Sequence, residues 1–384
     1  MELRELLIAL VIIWLTARLA AEAMERIGQT AVLGELLAGV VIGPGVLGLV
    51  RESEALHALA ELGVLILLFE VGLECDLEKL VKAGLQAMLV AVVGVVVPFA
   101  AGFGLMHWLG HSALVAVFVG ATLTATSVGI TARVLADLGR LQDTTASVVL
   151  GAAVADDILG LITLAVITGV AGAGGVSLAA VGLLGLKSVV FLAVALWIAS
   201  RRAPGLVGLI DRLRARGALI VSALVFALAL AAAADWIGLA AIIGAFAAGL
   251  ILSRTQRRAG LEERIKPVAD LLVPIFFVTV GMKVEPAQLN PFGEGTELAT
   301  ALTLTALAIA SKLAAGLGVY QTGVRRWPVG VGMIPRGEVG LIFAGTGLAA
   351  GVVTPSLYSA LVVVVMLTTF VAPPWLKALY RRPA

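Results

Sequence analysis

Gly151-Ala-Ala-Val-Ala-Asp156-Asp157-Ile-Leu-Gly160 sets two adjacent carboxylates inside an apolar run that extends from Thr144 to about Val170. In hydrocarbon each ionised side chain costs roughly 2.5–3.5 kcal/mol on insertion scales, so such residues are retained where something compensates them. Thirteen residues inward from the polar end at Asp143 corresponds to roughly 20 Å of helix, close to the centre of a bilayer about 30 Å thick in hydrocarbon. The pair therefore belongs at the membrane midplane, and the chain around it belongs in a membrane.

Composition agrees. Of 384 residues 60% are hydrophobic and 14% charged, and the mean hydropathy is +1.08. Such a chain has too little polar surface to coat a soluble body. Apolar segments run 6–23, 31–49, 56–74, 84–107, 113–136, 144–170, 180–200, 217–234, 238–253, 268–284, 298–322, 328–350 and 355–378, which makes thirteen expected spans and leaves no room for a soluble domain. The first run, Leu6 to Ala23, lacks a basic leader and reads as a retained span. A single cysteine, Cys75, excludes an intramolecular disulfide. The formal net charge of +2 is too small and too scattered to suggest nucleic-acid binding.

Lys and Arg sort by loop. Arg26, Lys79, Lys82, Arg133, Arg140, the Arg201–Arg216 and Arg254–Lys266 loops, Arg325, Arg326, Lys377, Arg381 and Arg382 fall on one side; Arg4, Arg51 and Lys283 fall on the other. The positive-inside rule makes the first side cytoplasmic, with the N-terminus outside and the C-terminus inside. The arginine-rich loops are explained as topology determinants and as contacts for anionic lipid.

The chain also repeats itself. Leu33-Gly-Glu-Leu-Leu-Ala-Gly-Val-Val-Ile-Gly43 reads like Ile243-Gly-Ala-Phe-Ala-Ala-Gly-Leu-Ile-Leu-Ser253, and Leu68-Phe-Glu-Val-Gly-Leu-Glu74 like Phe277-Val-Thr-Val-Gly-Met-Lys283. The copies lie seven spans apart, an odd number, so they run in opposite directions. The expected architecture is an all-α membrane protein: six spans in 1–170, a linker helix and loop in 171–216, and six inverted spans in 217–384. Inverted repeats of this kind mark secondary transporters, with the ion site at the midplane of the repeat interface.

The fifth and twelfth spans correspond in this scheme, and each carries an irregular stretch at depth. The fifth contains Thr122-Leu-Thr124-Ala-Thr126-Ser127-Val-Gly129, whose hydroxyls compete for backbone hydrogen bonds; the twelfth contains Pro335-Arg336-Gly337-Glu338, whose proline lacks an amide donor. Breaks in a membrane helix are tolerated where protein or a water-filled cavity satisfies the freed groups. Two crossing broken helices are therefore expected beside the aspartates. Thr126 and Ser127 read either as ion ligands or as ordinary small packing residues, and the depth and repeat relation favour ligands.

Lys312 sits mid-span in 298–322 and requires an anion. Adjacent helical residues point about 100° apart, so Asp156 can face Lys312 while Asp157 faces the crossing. One reading is a fixed ion pair. The other is a competition: two carboxylates and one ammonium leave one net negative charge, and a cation at the carboxylates loosens the lysine. Coupled titration of the group is expected. Arg336 and Glu338 are assigned to supporting each other or the half-helix ends, and Glu35 and Glu70 either line a negative entrance funnel or snorkel to the interface.

These motifs resemble the second monovalent cation:proton antiporter family, most closely its bacterial sodium/proton antiporter branch. The resemblance runs over essentially the whole length. It rests on Gly34-Glu35 through Gly43-Pro44, Phe69-Glu70-Val-Gly72-Leu-Glu74, Ala125-Thr126-Ser127-Val-Gly129-Ile-Thr131, Asp156-Asp157, Pro274-Ile-Phe-Phe277 with Gly281, Lys312, and Pro335-Arg336-Gly337-Glu338. It implies a homodimer with a fixed dimerisation domain and a moving core of spans 4–6 and 11–13. It further implies that Asp157 is the obligatory carrier of cation and proton and that Asp156 with Lys312 marks electrogenic members. Expected is secondary active transport and not enzyme chemistry, with no cofactor: about two protons inward per Na+ or Li+ outward, in a bacterial inner membrane. The alternatives within the fold are a K+/H+ or an electroneutral exchanger. Those of another class are a cation channel and a sodium-coupled organic-anion symporter. An intramembrane aspartyl protease needs its aspartates on separate helices, which adjacent residues do not provide.

Overall fold

A computed structural model describes residues 3–27, 29–75, 77–171, 217–283 and 296–381, with isolated helical positions between 183 and 197. The linker helix and the Arg201–Arg216 loop therefore lie outside the described residues or nearly so. The first half comprises α1 (Leu3–Arg26), α2 (Ala31–Ile42), α3 (Glu54–Glu74), α4 (Leu77–Trp108), α5 (Ala113–Thr122), α6 (Val128–Asp137) and α7 (Thr144–Ala171). The second comprises α8 (Ala218–Trp236), α9 (Ala241–Leu252), α10 (Arg258–Met282), α11 (Thr296–Leu313) with a 3-10 turn at Ala314–Gly318, α12 (Arg326–Gly332), α13 (Glu338–Ala349) and α14 (Pro355–Arg381). Every expected span apart from the seventh has a counterpart, two of them as broken pairs, α5–α6 and α12–α13.

Among the described residues seven helices are long and apolar enough to cross a membrane, and the chain is a multi-pass membrane protein. Two of the long helices, α1 and α8, show the division of faces that lipid demands. On α1, Ala9, Ile13, Ala17 and Ala21 are buried at four-residue spacing while Leu7, Val11, Leu15 and Leu19 are exposed. On α8, Ala223, Ala227 and Ala231 are buried and Val221 and Val225 exposed. Lipid tails are as apolar as leucine, so the association of such faces rests on the close approach that small residues allow.

That approach reveals the repeat in three dimensions. A Cβ on Gly39 of α2 would overlap the Val278 carbonyl oxygen of α10 and lie 2.9 Å from the Gly281 Cα, while one on Gly249 of α9 would overlap the Phe69 carbonyl oxygen of α3 and meet Gly72 C at 3.0 Å. Gly39 corresponds to Gly249, and Gly72 to Gly281. Each half thus lends its short helix to the other half's long one, and the contacts interchange when the halves are swapped. Within each half the short helix also meets the preceding long one in matching fashion, Gly34 against Ala20 and Ala21 of α1, and Gly244 against Leu230 and Ala231 of α8. The two short helices have 12 residues each, about 18 Å of rise. They fall short of the hydrocarbon thickness because protein encloses them: ten of the twelve residues of α9 are buried.

Packing gathers the helices into two groups. α1, α2, α3, α8, α9 and α10 pack mainly on one another, and α4, α5, α7, α11, α13 and α14 likewise, with α12 leaning on the 3-10 turn. α6 joins them, touching α3 and α2 on one side and α7 and α14 on the other.

Candidate functional site

The break between α5 and α6 covers Leu123–Ser127, and that between α12 and α13 covers Met333–Gly337. The extended backbones fasten to each other at this point. The Ser127 amide donates to the Pro335 carbonyl at 2.7 Å, the Thr131 hydroxyl to the Gly332 carbonyl at 2.7 Å, and the Thr126 hydroxyl to the Met333 carbonyl at 3.3 Å. Each break therefore satisfies groups freed by the other, and no lipid-exposed backbone results. A Cβ at Gly337 would lie 2.9 Å from the Ser127 Oγ, so any larger residue there would displace the serine side chain.

The four half-helix ends make this crossing electrically structured. The N-termini of α6 and α13 bring their positive ends to it and the C-termini of α5 and α12 their negative ends. Arg336 answers the negative ends. Fully buried, its guanidinium donates to the carbonyls of Leu123 at 2.8 Å, Ala308 at 3.2 Å and Ile334 at 3.1 Å. Its own carbonyl accepts from the Thr369 hydroxyl at 2.6 Å, which anchors the break to α14. Arg336 thus donates to carbonyls at both breaks; the side chain of Glu338 lies outside what the structure describes.

Lys312, also fully buried, reaches the same place from α11. Its Nζ donates to the Thr126 hydroxyl at 2.7 Å and stands 3.5 Å from both carboxylate oxygens of Asp156. Asp156 and Asp157 are 2% and 5% exposed on α7. The structure therefore brings Asp156, Lys312, Thr126, Ser127 and Arg336 into one buried assembly, with Asp157 adjacent on the same helix. Arg336 interacts electrostatically with Asp156, so the expected tally of two carboxylates against one ammonium is incomplete: a second buried cation belongs to it. Among the described residues no cluster of three or more His, Cys, Asp or Glu side chains gathers as a metal centre. The oxygen donors on offer are the carboxylates, the hydroxyls of Thr126 and Ser127 and the carbonyls of the breaks.

Other expectations land elsewhere. Glu35 neither snorkels nor lines an open funnel: its side chain is 4% exposed, 3.9 Å from Arg133 of α6. Arg133, sorted with the loops by sequence, lies within α6 with its side chain 16% exposed and an ion pair to Asp137 at 3.0 Å. Its four-residue spacing from Asp137 was the available signal. Glu70 is half-buried on α3. Thr131, Thr369 and the Ala308 carbonyl were not anticipated; a threonine in an apolar helix carries no mark of a partner from a distant span.

The comparisons with known proteins follow the same lines. The family described as sodium/hydrogen exchanger, transmembrane, matches residues 7–382. The high-affinity Na(+)/H(+) antiporter NhaS3 of Synechocystis is 41% identical over a stretch covering 97% of this chain and 89% of that protein. The Na(+)/H(+)-K(+) antiporter GerN of Bacillus cereus is 38% identical, covering 97% and 96%. The solved structure of the sodium proton antiporter MjNhaP1 from Methanocaldococcus jannaschii shares the fold, with a TM-score of 0.68 at 17% identity over 98% of this chain and 100% of that one. With its broken-helix crossing and its matched length, the chain belongs to the transmembrane sodium/hydrogen exchanger family of cation/proton antiporters.

Proposed function

We propose that this chain is an electrogenic Na+(Li+)/H+ antiporter that moves about two protons inward for each cation outward. The observation that carries the reading is Lys312, held 3.5 Å from both oxygens of Asp156 and 2.7 Å from Thr126 at the midplane crossing. A cation arriving at Asp157 and Asp156 competes for the carboxylate that holds the lysine. Loosened from it in a dry site, the ammonium gives up its proton. Cation and protons then exclude one another on the same groups, which is sufficient for coupling. One net charge per cycle makes a potential of 100 mV contribute roughly 2.3 kcal/mol, and each pH unit contributes about 1.4 kcal/mol per proton. Voltage can therefore expel sodium even against an unfavourable pH difference.

Alternating access in this reading is movement of a core, formed by α4–α7 and α11–α14, against a scaffold of α1–α3, α8–α10 and the linker, with the scaffold pairing two copies into a homodimer. The division of the helix packing into these two groups supports it. The protein would lie in a bacterial inner membrane with its Arg- and Lys-rich face in the cytosol, where the Arg254–Lys266 and Arg201–Arg216 loops meet anionic lipid.

The test is solid-supported-membrane current from proteoliposomes under Na+, Li+ and K+ jumps across a pH series. Na+ and Li+ are expected to give pH-dependent currents that Asp157→Asn abolishes while the variant keeps its detergent melting profile. Sodium-dependent dissipation of a pH gradient without current would leave exchange electroneutral. The name of GerN, a Na(+)/H(+)-K(+) antiporter, favours one further outcome, pH-dependent current on K+ jumps.

A further inference from the structure

The polar contacts between the two helix groups cluster at the Arg- and Lys-rich end of the molecule. Arg133 of α6 lies 3.9 Å from Glu35 of α2 and 3.0 Å from Asp137 of its own helix. Glu70 of α3 and Asp270 of α10 are also close enough to act on its charge. One guanidinium is thus faced by four carboxylates from four helices, three of them in the scaffold. Beside it the Asp137 carboxylate accepts from the Val32 amide in the first turn of α2, and Lys377 of α14 donates to the Gln29 carbonyl at 2.8 Å. Further out, Arg254 of the α9–α10 loop pairs with Glu78 of α4 at 3.3 Å. A cavity of about 200 Å³ lined by Glu25, Gln29, Thr30, Ala31, Asp137 and Lys377 lies within this group.

Two details identify what the arrangement does. Glu35 is buried, yet among the described residues its Oε2 has no hydrogen-bond partner, and the Arg133 distance is long for a buried ion pair. Besides Arg133, Arg18 of α1 also acts on the Glu35 charge, opposed by Asp137 and Asp270. Arg133 lies five residues beyond Val128, the first residue of α6 at the helix break, so it stands on the basic side of the midplane aspartates. It does so on a core helix that contacts both α2 and α3.

We propose that Arg133 is a tethered cation that closes the cytosolic approach to the midplane aspartates by clasping the core to the scaffold through Glu35, and that an entering monovalent cation or proton releases it by taking its place on that carboxylate. The proposal rests on the antiporter reading above. Glu35 is then a positioning residue and a waystation, not a residue of the midplane site. When the core moves, the α6–α2 contact has to part. Neutralising either partner of the clasp shifts the equilibrium toward the cytosol-open form, and a ligand's apparent affinity scales with the population of the form that binds it.

This gives an asymmetric signature. In oriented proteoliposomes, Glu35→Gln and Arg133→Gln are each expected to lower the apparent KM for Na+ at the basic face and to raise it at the opposite face, by about threefold to tenfold. The double variant should show no more than the larger single effect, since the two residues act as one contact. Hydrogen exchange in detergent, measured with no ion gradient, should be faster than native in segments 31–36 and 128–137 of both single variants. KM values that move together on both faces or not at all, single effects that multiply in the double variant, or unchanged exchange in both segments would overturn the clasp. Native protein that exchanges no cation for protons would refute the antiporter reading instead, and hydrogen exchange then decides the clasp by itself. Glu35→Gln keeps the shape of its side chain, so the test survives if Arg133→Gln fails to fold.

Discussion

Lys312→Gln is the perturbation that separates a fixed ion pair from a working one. Lys312 is fully buried and Asp156 is 2% exposed, with the ammonium 3.5 Å from both carboxylate oxygens. Removing one partner of such a pair strands a buried charge and costs about 3–5 kcal/mol, whereas replacing both partners costs far less. Lys312→Gln should therefore melt well below native protein in detergent. Adding Asp156→Asn should recover most of the loss, with an interaction energy of about 2–3 kcal/mol in the double-mutant cycle. The transport consequence is separate. With one net charge per cycle, 100 mV sustains a sodium gradient of about fiftyfold at equal pH, because roughly 2.3 kcal/mol is available and 1.4 kcal/mol is tenfold. If Lys312 carries the second proton, its glutamine variant exchanges one for one, and the gradient that voltage alone sustains falls to about unity. The assay is sodium retention in proteoliposomes clamped by a valinomycin potential at matched pH. A variant that still builds the native gradient would refute the role given to Lys312, and a double variant no more stable than the single would refute the energetic account of the pair.

The repeat and the crossing make further predictions. Gly39→Ala and Gly281→Ala should each destabilise the fold by about 1–3 kcal/mol despite alanine's better helix propensity, because the added methyl overlaps a backbone carbonyl across the α2–α10 contact; a melting temperature unchanged in either would show that the helices can move apart freely. Gly249→Ala tests the symmetry-related contact and should behave alike. Thr131→Val deletes the 2.7 Å hydrogen bond to the Gly332 carbonyl, leaves that buried acceptor short, and should cost about 1–3 kcal/mol. A thermal shift within error of native would mean another donor replaces it.

Several of these particulars were legible in the residue order. A buried carboxylate pair and a mid-span lysine are costly in lipid wherever they fall, so Asp156, Asp157 and Lys312 announce themselves without any knowledge of neighbours. The breaks at Leu123–Ser127 and Met333–Gly337 follow from local backbone chemistry, and the repeated Gly39/Gly249 and Gly72/Gly281 from self-comparison. Arg133 and Glu35 misled for a related reason. A charged residue near the end of an apolar run reads the same whether it faces headgroups or a partner on another helix, and here the partner is on another helix.

The sequence by itself determined the class of solvent, the spans and the place of the costly charges, because hydropathy, proline and ionisable side chains act through the bilayer and their own backbone. Which glycines cross, that Arg336 serves carbonyls of two other helices, that Thr131 and Thr369 tie the breaks, and that Arg133 joins the two helix groups were decided by tertiary structure alone. Those facts depend on residues as far apart in the chain as Gly39 and Gly281, and a hydrogen bond or a close approach has no expression in either partner until the chain has brought both together.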